Sequence, residues 1–141
     1  MKSILLVSIQ FAAIICLIAV AHPFTSVLAT TLIITGIILG LWAILTMRHS
    51  KLNITPDIIP SATLVTSGPY HYLRHPMYSA VLLTCLGLLL THPSVIGIVV
   101  YFILVIDLIT KISYEEKLLA HHFSQYSHYQ QHTHRLISKI W

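Results

Sequence analysis

The stretch VLATTLIITGIILGLWAILTM, residues 27–47, runs for 21 residues without an Asp, Glu, Lys or Arg. Wound as an α-helix at about 1.5 Å per residue it reaches roughly 31 Å, enough to cross a hydrocarbon core of about 30 Å. Three further apolar runs flank it. One precedes it at residues 4–21. Two follow: Met77 to Leu90, a span of 76–90 once Pro76 is taken into its first turn, and 95–112, which contains Asp107. Short Pro-marked turns at His22-Pro23 and His92-Pro93 join the runs in pairs, as in antiparallel helical hairpins. The expected fold is therefore an all-α integral membrane protein, a single membrane domain over residues 1–141 with about four transmembrane helices. A polar connection from Arg48 to Pro76 separates the two hairpins, and a tail, residues 113–141, is expected to form a cytoplasmic amphipathic helix.

Composition leads to the same conclusion. Hydrophobic residues make up 56% of the 141 residues and charged residues only 9%. A soluble domain carries about 25% charged residues, so this chain lacks the polar surface to remain in water. The two cysteines, Cys16 and Cys85, sit inside apolar runs, which excludes a disulfide scaffold. The net charge of +4 is too small and too embedded among apolar runs for nucleic acid, and anionic lipid headgroups of the bilayer are the better partner.

No charged residue lies between Ser3 and Met47, or between His75 and Ile106. Lys2 belongs to the N-terminus, Arg48, Lys51 and Arg74 to the long connection, and Lys111, Lys117, Arg135 and Lys139 to the end of the last run and the tail. The hairpin turns carry neither Lys nor Arg. In a four-span protein all these basic residues share one face. The positive-inside rule makes that face, and both termini, cytoplasmic, in the inner membrane if the owner is prokaryotic. Ala19-Val20-Ala21 also has the look of a signal cleavage site. The apolar run before it exceeds the usual signal length, and a second long span follows at once, which favours a retained helix.

The third run is short, about 21 Å for fourteen residues, so the polar sequence before it is drawn toward the membrane boundary. Irregular backbone at that depth must be covered by protein or line a cavity, which predicts a polar pocket at the cytoplasmic ends of spans three and four. Two clusters meet there. The connection 62–78 carries TSGPYHYLRHPMY, residues 66–78, where Gly68-Pro69 reads as a turn and Pro76 suits the start of a helix. The free N–H groups of that helix start form a seat for a carboxylate or phosphate, with Arg74 and His75 as further donors and Tyr70, Tyr72 and Tyr78 as faces for a flat base or a cation. An interfacial belt of Tyr, Arg and His is the structural alternative. The second cluster is Asp107, Lys111 and Glu115, spaced by four and so on one helix face, with Glu116 alongside. Charges within a span are costly and point to function, although Asp107 and Lys111 also neutralise each other.

TSGPYHYLRHPMY, followed about 35 residues later by Glu115-Glu116-x-x-Leu119-x-x-x-Phe123 and then by Tyr126-x-x-Tyr129-x-x-x-Thr133-x-Arg135, resembles the isoprenylcysteine carboxyl methyltransferase family, whose wider group includes membrane phospholipid methyltransferases. The likeness covers roughly Ala62 to Arg135; the first two spans match only in being apolar. It implies S-adenosylmethionine-dependent methyl transfer to a lipophilic or membrane-embedded acceptor: the carboxylate of a prenylated cysteine, a lipid or a thiol. The family's cofactor contacts carry over to Ala62, Thr63, Leu64, Val65, Tyr70, His75, Pro76, Met77, Tyr78 and Glu115. Its substrate contacts carry over to Lys111, where relatives can place an Arg, and to Arg135. Glu115, Lys111 and His75 are then the catalytic set. Lys111 keeps the charge of an Arg but loses its two-pronged grip on a carboxylate. Ser124, where relatives often have Gly, and the lack of Pro after Arg135 are two further departures.

The chemistry agrees with the residues. The cofactor's carboxylate suits the helix start, its ammonium and ribose hydroxyls suit Glu115, and its sulfonium suits the tyrosine faces. In-line methyl transfer needs positioning above all, so no nucleophilic Ser or Cys is required. An ionised carboxylate or thiolate acceptor needs no base. An amine or hydroxyl does, and His75 or Glu115 would serve. Two other functions compete with this reading. Sterol-type nicotinamide reductases share a His-Pro-x-Tyr element but read His-Pro-Asn-Tyr followed by Gly-Glu, where this chain has Met77 and Ser79-Ala80, and no Gly-rich dinucleotide fingerprint occurs. A small non-enzymatic membrane subunit would use these charges only as anchors.

Five of the ten histidines lie in the tail, with His128 and His132 one helical turn apart. No Cys and no well-spaced acid joins them, so no metal is expected. The tail helix is expected to cover the pocket, with Leu118, Leu119 and Phe123 facing inward.

Overall fold

The computed structural model describes residues 2–22, 26–48 and 63–136. Over these the chain is helical: α1 (Lys2–Val20), α2 (Val27–Met47), α3 (Pro76–Thr91), α4 (Val95–His122) and the short α5 (Tyr126–His132). A 3₁₀ turn at Gly68–His71 precedes α3, and the only extended pairing among the described residues is a single parallel bridge between Leu73 and His134. Helices α1, α2 and α4 are long and apolar enough to cross a membrane; α3 is an apolar helix of 16 residues.

The boundaries have local causes. Ser26 caps α2 by accepting a hydrogen bond from the Ala29 N–H, and Ser94 caps α4 by accepting one from Gly97. Pro76 opens α3, where its missing N–H costs nothing. On the far side of the bundle the two hairpin turns are tied together: the His22 N–H donates to Thr91 Oγ1 at 3.2 Å, and the His22 and His92 rings lie 4.5 Å apart.

Helix α3 packs most extensively on α2, and α1 on α4, while α3 also touches α1 and α4. Without a hydrophobic driving force between helices in lipid, close backbone approach has to supply the attraction. Gly36 and Gly87 permit it. A Cβ on Gly36 would collide with Thr84 Oγ1 and stand 2.8 Å from the Ala80 carbonyl, and one on Gly87 would stand 2.8 Å from the Ala29 carbonyl. Across the bundle, Ala13 and Leu17 of α1 meet Cys85, Leu104 and Leu108 in a buried core. Large apolar side chains such as Leu5, Ile15, Ile38 and Phe102 face outward, a surface suited to lipid rather than water.

The tail departs from its expected form. Nothing between Lys111 and His122 breaks a helix, so α4 continues through 28 residues, roughly 42 Å, about 12 Å longer than a 30 Å hydrocarbon core. Leu118, Leu119 and Phe123 are only half-buried there. The side chains that turn inward are Tyr126 and Tyr129 of α5, both buried, because α5 folds back and the segment after it runs beside residues 72–75.

The α2–α3 seam yields a direct test. Gly36→Val should lower the thermal unfolding midpoint of the detergent-solubilised protein, reflecting a loss of about 1–3 kcal/mol from overpacking. Gly40→Ala, whose new Cβ would meet Ala80 Cβ at an ordinary 3.4 Å, should leave the midpoint nearly unchanged. Equal effects of the two substitutions would contradict this packing.

Candidate functional site

The site lies where the C-terminal end of α4 meets the connection before α3. Gly68 starts that connection's turn with φ of 59°, a backbone state open to glycine, and a Cβ there would stand 2.6 Å from Thr46 Oγ1 at the end of α2. The turn buries Tyr70, whose hydroxyl donates to Met47 Sδ at 3.6 Å and whose carbonyl accepts from the Tyr129 hydroxyl at 2.6 Å. Burial pushes the Tyr129 phenol up to about 12 although Arg74 opposes the shift, so it remains a donor. Burial, followed by the Glu115 charge, raises the Tyr70 phenol as well.

The tail closes over this connection by main-chain bonds. The N–H groups of Arg74 and His75 donate to the carbonyls of His134 and Arg135, the His134 N–H donates to the Tyr72 carbonyl, and Ser79 Oγ donates to the Leu136 carbonyl at 2.6 Å. Beneath these strands of chain sits Glu116, 5% exposed. Arg74 Nε donates to its Oε1 at 2.7 Å and Arg135 to its Oε2 at 2.9 Å, while His75 Nε2 lies 3.5 Å from Oε1. Arg74 also donates through Nη1 to the carbonyls of Gln130 and Thr133. Burial raises the Glu116 carboxyl, but His75 and Arg74 overcome it and hold the group down at about 2. Burial likewise disfavours a charged His75 ring, yet the two carboxylates against its nitrogens raise its pKa above the ordinary 6.5.

Glu115, one residue earlier, points elsewhere. Its Oε1 accepts from the Tyr78 hydroxyl at 2.8 Å, and its Oε2 lies 3.3 Å from His75 Nδ1. The Tyr78 ring stacks on His75 at 5.6 Å, with 11° between the planes, and the Lys111 ammonium lies 5.4 Å from the Tyr78 ring centroid. Lys111 is 1% exposed and donates to the side-chain oxygen of Gln10 on α1. Asp107, one turn deeper on α4, is 4% exposed and has no hydrogen-bond partner for either oxygen.

Of the residues singled out from the sequence, His75, Tyr78, Lys111 and Glu115 come together as one group, with Pro76 and Met77 in the first turn of α3 and Tyr70 buried in the turn before it. Thr63 is exposed and Leu64 and Val65 are half-buried in the irregular segment leading to Gly68; Ala62 lies outside the described residues. Arg74, expected to offer donors at the start of α3, instead directs its guanidinium to Glu116 and the tail carbonyls. Arg135 directs its own to Glu116. Gln10 is a site neighbour that sequence reasoning does not single out. A signal for it exists, because it is the only Asn or Gln within the four apolar runs.

These residues fit S-adenosylmethionine by their chemistry. Glu115 is an acceptor for an ammonium or ribose hydroxyls, and the Tyr78 ring is a face that already holds one cation.

The Glu116 centre has a measurable signature. Glu116→Gln leaves Arg74 without its buried counter-charge and should cost about 3–5 kcal/mol of stability, far more than Glu115→Gln. The pH dependence has two limbs. Glu116, depressed when folded, contributes fully above its ordinary 4.5, and this is lost as pH falls toward about 2. His75, raised when folded, contributes fully below 6.5, and this is lost as pH rises through its raised value. Thermal midpoints across pH should therefore fall on the alkaline side for the wild type, and His75→Gln should flatten that limb; an unchanged alkaline fall would contradict the assignment.

Comparison with curated proteins and with solved structures gives no significant match. A family model described as phospholipid methyltransferase matches residues 24–126, well over half of the chain, and its range takes in α2, the connection, α3 and α4 with Glu115 and Glu116. An apolar helical bundle with polar helix ends, carrying the residue 66–78 motif and the Glu115–Phe123 part of the second within that match, places the chain in the phospholipid methyltransferase family.

Proposed function

We propose that the protein transfers a methyl group from S-adenosylmethionine to a lipophilic acceptor held at the membrane boundary. The observation that carries this reading is the convergence of His75, Tyr78, Lys111 and Glu115, from two helix ends, in a chain of a methyltransferase family. When bound, the cofactor supplies an activated methyl on a sulfonium. The chain's own contribution is position: Glu115 takes the ammonium or the ribose, His75 and Tyr78 orient Glu115, and Lys111 takes an anionic oxygen of the acceptor. The α5–tail segment over the connection excludes water, which strengthens every charged contact beneath it.

The four apolar helices form four spans in this reading, with α3 drawing the connection to the boundary. The basic residues Arg48, Lys51, Arg74, Lys117, Arg135 and Lys139 then share the cytoplasmic face, with both termini on that side. In a prokaryotic owner that membrane is the inner one.

Titration calorimetry on the detergent-solubilised protein tests the cofactor. S-adenosylhomocysteine should bind one to one and NADPH should give no heat. Glu115→Gln should weaken S-adenosylhomocysteine by about tenfold or more, the value of a hydrogen bond to a charged group. Heat with NADPH alone would replace this reading with a reductase.

A further inference from the structure

At the end of the bundle away from the site, the two hairpin turns hold His22 and His92 and no Asp, Glu, Lys, Arg or Cys. Each histidine lies between the end of a helix and a proline, His22-Pro23 after α1 and His92-Pro93 after α3. The fold brings the pair together from separate hairpins, with ring centroids 4.5 Å apart and planes inclined at 50°. The backbone beneath the rings is fixed. The His22 N–H donates to Thr91 Oγ1 at 3.2 Å, the Thr91 hydroxyl donates to the Leu88 carbonyl at 2.7 Å, and the His92 N–H donates to the Leu89 carbonyl at 3.3 Å. Ser26 and Ser94 are committed as helix caps. Both histidines are exposed, so their rings are open to an ion and its waters. His128 and His132 also lie 4.5 Å apart, but they stand one turn apart on α5, where the helix repeat alone brings them together. No local repeat brings His22 to His92.

We propose that His22 and His92 together bind one divalent transition-metal ion of the zinc class, and that this ion clasps the two hairpins to each other. The donor set chooses the class. Imidazole nitrogen suits zinc, copper and nickel, whereas Mg²⁺ and Ca²⁺ call for oxygen ligands, carboxylates above all, which the turns lack. One nitrogen from each ring stands about 2.0 Å from such an ion, which sets the two nitrogens roughly 3 Å apart. Rings already 4.5 Å apart reach that separation by side-chain rotation, with the backbone left in place. Water completes the coordination on the exposed side. The ion ties α1–α2 to α3–α4 at one end of the bundle, as Glu116 ties the tail to the connection at the other. Protons compete for the same nitrogens, so the site empties as pH falls toward about 5.

The test uses the intact, tag-free protein in detergent, stripped of metal with a chelator and titrated with Zn²⁺ or Mg²⁺. In the wild type, Zn²⁺ should shield both His22 and His92 from acylation by diethylpyrocarbonate, mapped by mass spectrometry. It should also raise the thermal unfolding midpoint by about 5 °C at roughly a 100-fold excess over its Kd. Mg²⁺ should do neither. His22→Gln should weaken Zn²⁺ binding at the turns by about tenfold or more, because the second imidazole no longer adds its intramolecular hold, and should remove the rise in midpoint. His92→Gln should do the same, and is read in its place should His22→Gln fail to fold. Unchanged acylation of His22 and His92 in the wild type under saturating Zn²⁺ would overturn the proposal without recourse to any variant, as would equal shielding by Mg²⁺ or a midpoint that Zn²⁺ leaves unmoved. A rise as large in a folded variant as in the wild type would also overturn it, by assigning the ion to other histidines such as His128 and His132.

Discussion

One carboxylate organises the end of this bundle. Glu116 sits almost wholly out of solvent, yet it faces two guanidinium groups and a histidine ring drawn from two separated parts of the chain: Arg74 and His75 before α3, and Arg135 after α5. An isolated buried anion would be untenable at such a place. Three cationic or protonatable partners with good geometry make it the fastener of the fold. Because Arg74 is planar with several donors, it reaches Glu116 and the Gln130 and Thr133 carbonyls together, which pins the tail to the connection. The neighbouring Glu115 is thereby relieved of structural duty. It is left with Tyr78 and His75, groups that a bound cofactor would share.

The bundle below supplies what that fastener needs, a set of rigid helix ends at defined depth. Gly36 and Gly87 bring α2 and α3 into backbone contact, and α3 is short, so its start lies close to where α4 leaves the apolar layer. In the proposed function the polar site lies at the boundary between lipid and water. A charged cofactor and a lipophilic acceptor can both reach that boundary without either being fully transferred into the wrong solvent.

Much of this is legible in the sequence wherever a single physical effect outweighs all others. Hydropathy over residues 27–47 and 95–112 marks helices because nothing else satisfies backbone polar groups in lipid. The spacing of Asp107, Lys111 and Glu115 places them on one face because a helix repeats every 3.6 residues. The tail is harder to read. Polar residues after Ile112 mark the end of the apolar layer, but they do not stop a helix, and α4 continues to His122. Sequence alone points Arg74 and Arg135 toward small molecules. Their pairing with Glu116 across 42 and 19 residues leaves no local trace, because it depends on how the tail folds back. Gln10 escapes notice for the same reason: its partner Lys111 lies 101 residues away, although an amide alone within apolar runs is a signal.

In the proposed function the cofactor sits where the start of α3 meets the end of α4, and everything proposed for the chemistry depends on that placement. Ultraviolet crosslinking of methyl-tritiated S-adenosylmethionine to the purified protein, followed by mass spectrometric mapping, tests this most directly. Label confined to peptides bearing Met77 and Tyr78 or Glu115, and abolished by excess S-adenosylhomocysteine, is the expected result. Label confined to α1 or α2, or label that excess S-adenosylhomocysteine does not displace, would contradict it.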